Sequence, residues 1–93
     1  MIIEGKEYGY HYPLGVLRKF EKRTKVNIFA LGDMSKLSSE AAGYLVYYGV
    51  QAWAKREAEE FDYSFEELLD MVTLTDVQDA FTELMGADEE KKT

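Results

Sequence analysis

The chain has 93 residues, a single histidine, no cysteine and a formal net charge of −7. This length suffices for one domain with a modest core, and the lack of cysteine excludes disulfides and thiolate chemistry. The negative charge argues against a nucleic-acid binder, because phosphate contacts require clustered lysine and arginine. We expect neither a signal peptide nor a membrane span, since no apolar run approaches the roughly 20 residues that a bilayer requires.

The charges are divided unevenly along the chain. Residues 1–56 hold nine basic and five acidic side chains, or +4, whereas residues 57–93 hold two basic and thirteen acidic ones, or −11. Such asymmetry suggests electrostatic complementarity, either within one fold or between copies. Copies that met head to tail would form rings or filaments.

The first twelve residues predict a β-hairpin. Gly5 suits the first central position of a type II′ turn over Glu4–Glu7. Tyrosines then occupy alternate positions, which is typical of a strand with one aromatic face: Tyr8, Tyr10 and Tyr12. Because a lone hairpin is only marginally stable, we expect this face to pack on the rest of the chain.

A first helix is predicted from Pro13 to about Arg23, because proline suits the first helical turn. Its apolar stripe consists of Val16, Leu17 and Phe20. Its charged face is either solvated or an acceptor for acidic segments of this chain or, in self-association, of a neighbouring copy. The face consists of Arg18, Lys19, Lys22 and Arg23. An apolar segment follows and closes at Gly32–Asp33. We expect its apolar residues to be buried: Val26, Ile28, Phe29 and Leu31.

A central helix near 38–59, with Ser38 as the favoured N-cap, is predicted to organise the fold. Residues 41–54 are apolar around the whole helical wheel, so the helix must be covered on most sides. The cover comes from the rest of the chain, from a second copy or from a partner. Gly43 and Gly49 would allow another backbone to approach closely. The candidate partner contacts are its aromatic residues: Tyr44, Tyr47, Tyr48 and Trp53.

Two capped helices are predicted in the acidic half. Ser64 and Glu67 have capping-box spacing, and the helix that follows should bury Phe65, Leu68 and Leu69. Thr75–Gln78 repeats the spacing, and the last helix should bury Val77, Ala80, Phe81, Leu84 and Met85 before ending at Gly86. We therefore predict a mainly α-helical domain of residues 1–86, in which a small N-terminal hairpin precedes about four helices around the central one. Residues 87–93 would be a charged, frayed tail.

No catalytic, cofactor-binding or metal site is expected. His11 is the single histidine and has no obvious base or nucleophile beside it. The acidic run after Asp62 lacks the glycine that a calcium loop needs at its sixth position, where Glu67 stands. The spacing of the glycines also fails the pattern of a phosphate-binding loop. The sequence thus predicts a protein that is not an enzyme.

Several short segments resemble the tail assembly chaperones of long-tailed phages and prophages. The resemblance covers about residues 1–86, although the link at Gly32–Ser39 and the tyrosine-rich second strand depart from the pattern. The matching segments are Ile3-Glu4-Gly5-Lys6-Glu7-Tyr8, Phe20-Glu21-Lys22, Tyr44-Leu45-Val46-Tyr47-Tyr48-Gly49 and Tyr63-Ser64-Phe65-Glu66-Glu67-Leu68-Leu69.

This resemblance implies a non-catalytic protein of the host cytoplasm. It would coat the long tape-measure protein, keep it soluble and help recruit tail-tube subunits, and many members of the family self-associate. The residues alone leave an alternative open, which is a small acidic phage-type inhibitor that occupies a nucleic-acid site on an enzyme. That alternative predicts a continuous acidic surface, and the five basic residues within 18–25 argue against it.

Overall fold

A computed structural model describes residues 1–30 and 34–92, without the side chains of residues 34 and 86–92. It confirms the mainly helical fold with a small N-terminal hairpin. The two short 3-10 turns are Ile28–Ala30 and Met34–Lys36. The other elements are β1 (Ile2–Ile3), β2 (Lys6–Glu7), α1 (Leu14–Thr24), α2 (Ser39–Arg56), α3 (Phe65–Leu69) and α4 (Leu74–Lys92).

The hairpin turns one residue earlier than predicted. β1 and β2 are antiparallel, with Ile3 opposite Lys6. The two loop residues, Glu4 and Gly5, both have positive φ angles, of 52° and 83°. This is the geometry of a type I′ turn, so the predicted type II′ turn is wrong. The second strand also ends at Glu7, well before Tyr12.

The three alternating tyrosines pack on the helical domain, as expected. Tyr8 donates a hydrogen bond to the carbonyl of Glu60 (3.3 Å), and Tyr10 donates one to that of Asp76 (3.3 Å). Tyr12 donates one to the carbonyl of Leu45 in α2 (2.8 Å). Buried phenols normally find such partners. The segment after the hairpin is therefore fixed to α2, to α4 and to the loop before α3.

Helix α2 is the centre of the fold and contacts α1, α3 and α4. The side chain of Ser38 accepts a hydrogen bond from the Ala41 amide (3.1 Å), which confirms the predicted N-cap. One side of α2 packs with Leu17, Phe20 and Ile28, and the other packs with the hairpin, α3 and α4. The chain itself thus covers most of this apolar helix. Its buried residues include Tyr44, Leu45, Val46, Val50 and Ala54.

The segment after α1 is only partly buried. Ile28 lies in the core, as predicted, and Val26 is half-buried. The prediction for Phe29 is wrong, since 76% of this residue is exposed. Leu31 and Gly32–Asp33 lie outside the described residues.

The helices of the acidic half begin at capping boxes. Ser64 and Glu67 form the predicted one, which starts α3. At α4 the prediction of a cap at Thr75 is wrong, because the box lies two residues earlier. The Asp76 amide donates to Thr73 Oγ1 (3.3 Å), and the Thr73 amide donates to Asp76 Oδ2 (3.0 Å).

The end of α4 also differs from the prediction. The helix continues past Gly86 to Lys92, so the predicted end at Gly86 is wrong. Val77 and Ala80 are buried as expected, but Met85 is 42% exposed. Phe81 and Leu84 are half-buried and pack against the cluster that contains Phe20.

The capping box of α3 should give the protein a measurable acid dependence. The Ser64 amide and then the Ser64 hydroxyl group stabilise the Glu67 carboxylate, which lowers the pKa of Glu67 from its ordinary value of 4.5. A lowered pKa in the folded state stabilises the fold above the unfolded pKa, and this contribution disappears as the pH falls through the folded value. We expect the stability difference between wild type and Glu67→Gln to shrink from about pH 6 to about pH 3.

Urea unfolding at several pH values measures this difference. Glu66→Gln is the matched control, because Glu66 lies in the same turn and its side chain does not contact Ser64 in the described contacts. A stability difference for Glu67→Gln that stays constant with pH would contradict the assigned role of the carboxylate.

Candidate functional site

The four predicted partner-binding aromatics occupy different surroundings. Tyr44 is only 7% exposed and stacks on Phe65, with ring centroids 3.8 Å apart and an interplanar angle of 4°. Tyr47 is half-buried and contacts Phe61 and Phe65 on the α3 side of the helix. Tyr48 and Trp53 are also half-buried, and each lines a separate surface depression. Tyr44 is therefore a core residue, whereas Tyr48 lines a depression together with Val16 and Lys19 of α1.

The predicted basic set is exposed on α1 as expected, and its members have different surroundings. Arg23 lies against Tyr44, where its Nε donates to the phenol oxygen (2.9 Å) and its guanidinium sits 5.0 Å from the ring centre. This contact raises the pKa of Arg23, so its charge is retained. Arg18 lies beside a shallow apolar depression, and Lys19 lines a groove between α1 and α2.

This groove runs between α1 and α2 and has a volume of about 810 Å³. We call it the α1–α2 groove. Its floor consists of half-buried Val16, Tyr48 and Ala52. Its rim consists of exposed or partly exposed polar residues: His11, Lys19, Gln51, Lys55 and Arg56. The groove is large enough to receive several side chains from one face of a helix.

The rim of the α1–α2 groove is positively charged. No acidic side chain is among the described residues that line it. Arg56 pairs with Glu57 (3.0 Å) and donates to Nδ1 of His11 (3.0 Å), because a guanidinium can only donate. In the described part of the chain, neither Lys19 nor Lys55 forms an ion pair. The groove therefore presents two free ammonium groups above an apolar floor.

The Tyr48 hydroxyl is a neutral hydrogen-bonding group on the groove floor. The pKa of Tyr48 is raised mainly because burial disfavours the phenolate, although nearby Arg23 acts in the opposite direction. The Tyr48 hydroxyl thus stays protonated at neutral pH and can both donate and accept hydrogen bonds.

An exposed apolar patch adjoins the groove. Leu14 and Phe29 are 72% and 76% exposed and line a depression of about 390 Å³. We call these two residues the Leu14–Phe29 patch. Gly15 lines both this depression and the α1–α2 groove, so the two surfaces are continuous. Exposed apolar patches beside polar residues are typical of protein-binding sites.

The sequence contained a signal for the groove that the predictions did not use. Positions i, i+3, i+4, i+7 and i+8 of a helix share one face. On α2 these positions are Tyr48, Gln51, Ala52, Lys55 and Arg56. Four of the five were not among the predicted site residues, and neither were His11 and Val16.

The described residues offer no arrangement suited to metal binding. Among them, no group of three or more histidine, aspartate or glutamate side chains could hold a metal ion. Within the same part of the chain, no helix is both long and apolar enough to cross a membrane.

Comparison of the chain with protein-family models, with curated proteins and with solved structures finds no match. The phage-chaperone resemblance therefore rests on the short segments quoted above. A functional assignment must be argued from the α1–α2 groove and its neighbouring patch.

Proposed function

We propose that this chain is a non-catalytic binding protein that works as a tail assembly chaperone. Its client would be the long, helical tape-measure protein, which it keeps soluble in the host cytoplasm while tail-tube subunits are recruited. The observation that supports this proposal is the open α1–α2 groove, whose apolar floor continues into exposed Leu14 and Phe29. A helical client can place one apolar stripe along such a surface.

The proposed binding surface differs from the first expectation that the aromatic set acts as a whole. Tyr48 would contact the client directly, since it lies on the groove floor. Tyr44 and Tyr47 would support it from within, because both pack against Phe65. Trp53 covers Gly9 and lines a second depression, which shares His11 and Arg56 with the groove. It would therefore contact only a client segment that reaches beyond the groove.

Two exposed aliphatic residues permit a matched test. Leu14 and Ile2 are 72% and 70% exposed, but only Leu14 adjoins the groove. In co-expression with the tape-measure protein of the same gene cluster, Leu14→Ala combined with Phe29→Ala should weaken client binding by at least about 30-fold, since two interface anchors that contribute about 1 kcal/mol or more each amount to about 2 kcal/mol. The soluble fraction of the client should fall with it. Ile2→Ala should leave both quantities unchanged.

A groove-filling variant makes the test independent of the patch. Ala52→Gln places a longer, uncharged side chain on the groove floor and should also reduce co-purification. Circular dichroism and thermal unfolding would verify that each variant is folded. A client that remains insoluble with wild-type protein, or that binds all variants equally well, would rule out this use of the surface.

The acidic inhibitor is the second candidate function. Exposed carboxylates on α3 and α4 favour it, including Glu66, Asp70, Asp79 and Glu83. Its target would be a nucleic-acid site on an enzyme, which a chain of net charge −7 can mimic. Binding to a DNA-processing enzyme through these carboxylates, without binding to a tape-measure protein, would favour this function over the chaperone.

A further inference from the structure

The α1–α2 groove lies beside an acidic edge of the same molecule. A second depression, of about 460 Å³, shares His11, Pro13 and Arg56 with the groove and is also lined by Glu83. Glu83 and Asp79 are exposed on α4, one helical turn apart. A basic groove and an acidic helix edge are therefore neighbours on one face.

These neighbouring surfaces do not neutralise each other within the chain. The described ion pairs join Lys6 to Glu59 and Arg56 to Glu57, and neither involves α4. Lys19 and Lys55 in the groove and Asp79 and Glu83 on α4 thus have no oppositely charged partner among the described residues. Leu74 and Met85 are also exposed on α4 (67% and 42%), but the helical period places them on the side of the helix away from Asp79 and Glu83.

We propose that two copies of this chain form a closed dimer in which the Asp79–Glu83 edge of each copy lies in the α1–α2 groove of the other. A two-fold axis makes the same patch contact itself, so a patch with a basic and an acidic half is self-complementary. The adjacency of the two halves favours this closed arrangement over the rings or filaments that head-to-tail contacts produce. Charge complementarity orients the copies, and the apolar floor of each groove is removed from water.

The dimer goes beyond the proposed function and does not depend on it. Only one consequence rests on that function, namely that a client and the second copy compete for the same groove. The dimer is tested with the chain alone, so failure of the dimer and failure of client binding are distinguishable.

Charge reversal combined with sedimentation velocity tests the contact. Wild type at about 50 mM salt should approach twice the monomer mass of 10.7 kDa as its concentration rises, and about 500 mM salt should weaken the dimer because exposed charges are screened. Lys19→Glu with Lys55→Glu should raise the dimer dissociation constant by at least about tenfold. Asp79→Lys with Glu83→Lys should do the same.

Mixing the two reversed proteins should restore dimers, because each groove then meets an α4 edge of opposite charge. Lys25→Glu with Lys36→Glu is the control, since it changes the net charge equally and both positions are exposed outside the groove. A wild-type monomer at every concentration would overturn the proposal. So would an equal loss of dimers in the control, a mixture that stays monomeric, or assemblies that grow beyond two copies.

Discussion

Replacing Phe20 with alanine is expected to lower the free energy of unfolding by about 3–5 kcal/mol. Phe20 is completely buried and packs between α1 and α2 with Leu17, Ile28 and Leu45. The loss includes both the transfer of the ring to water and the cavity that remains. Since domains of this size have total stabilities of about 5–15 kcal/mol, the variant should unfold at a much lower urea concentration.

Phe29→Ala is the matched control for this substitution. Phe29 lies in the apolar segment that follows α1 and is 76% exposed, so its removal should change stability by no more than about 0.5 kcal/mol. Urea unfolding followed by circular dichroism measures both variants. Similar losses for the two substitutions would contradict the placement of α1 against α2.

Gly49→Ala is expected to lower the free energy of unfolding by about 1–2 kcal/mol. A Cβ atom at Gly49 would lie 2.5 Å from Cζ of Tyr12. The ring cannot move away freely, because the Tyr12 hydroxyl donates a hydrogen bond to the Leu45 carbonyl. The preceding residue is also fixed, since the His11 amide donates a hydrogen bond to the Gly49 carbonyl. Overpacking of this kind costs about 1–3 kcal/mol, and the better helix propensity of alanine offsets up to about 1 kcal/mol.

Two comparisons isolate the contact between Gly49 and Tyr12. Gly15→Ala lies in α1 with no atom within 4 Å of the added methyl group, so it should be neutral or stabilise by up to about 1 kcal/mol. In a Tyr12→Ala background, Gly49→Ala should no longer be destabilising, because the obstructing ring is absent. An equal cost of Gly49→Ala in both backgrounds would contradict the close approach of Tyr12 to α2.

The parts of the fold that sequence reasoning predicted well are those that local interactions determine. Ser38 caps α2, and Ser64 and Glu67 cap α3, because a side chain needs only the next three residues to form these bonds. The helical spacing of Leu17 and Phe20 likewise identified the buried face of α1. The residues that form each of these signals all lie within about one helical turn.

The errors arose where two local solutions were nearly equivalent. Gly5 is compatible with a type I′ turn and with a type II′ turn, and the pairing of Ile3 with Lys6 decides between them. Thr73 and Thr75 each have a polar residue three positions later, but Thr73 pairs with a carboxylate, that of Asp76. Phe29 could not be placed from composition, because the direction of its side chain depends on how the chain leaves α1.

The candidate site was predictable only in part. Tyr48 and Lys19 were both singled out, but for different roles, because a sequence does not reveal that α1 and α2 leave a groove between them. Tyr44 and Tyr48 stack on each other, with ring centroids 5.5 Å apart, but only Tyr48 lines the groove. Tyr44 lies in the core because Phe65 stacks on it. The two residues are 21 positions apart in the chain, so local sequence patterns do not reveal this contact.

Hydrogen exchange on a complex with a soluble tape-measure fragment tests the central claim most directly. The account predicts that binding slows amide exchange at residues 14–19 of α1 and 48–56 of α2, which line the α1–α2 groove and its patch. Exchange in α3 should stay unchanged. Protection confined to the acidic surface of α3 and α4, with α1 and the groove unaffected, would contradict the proposed site and favour a partner that recognises the carboxylates.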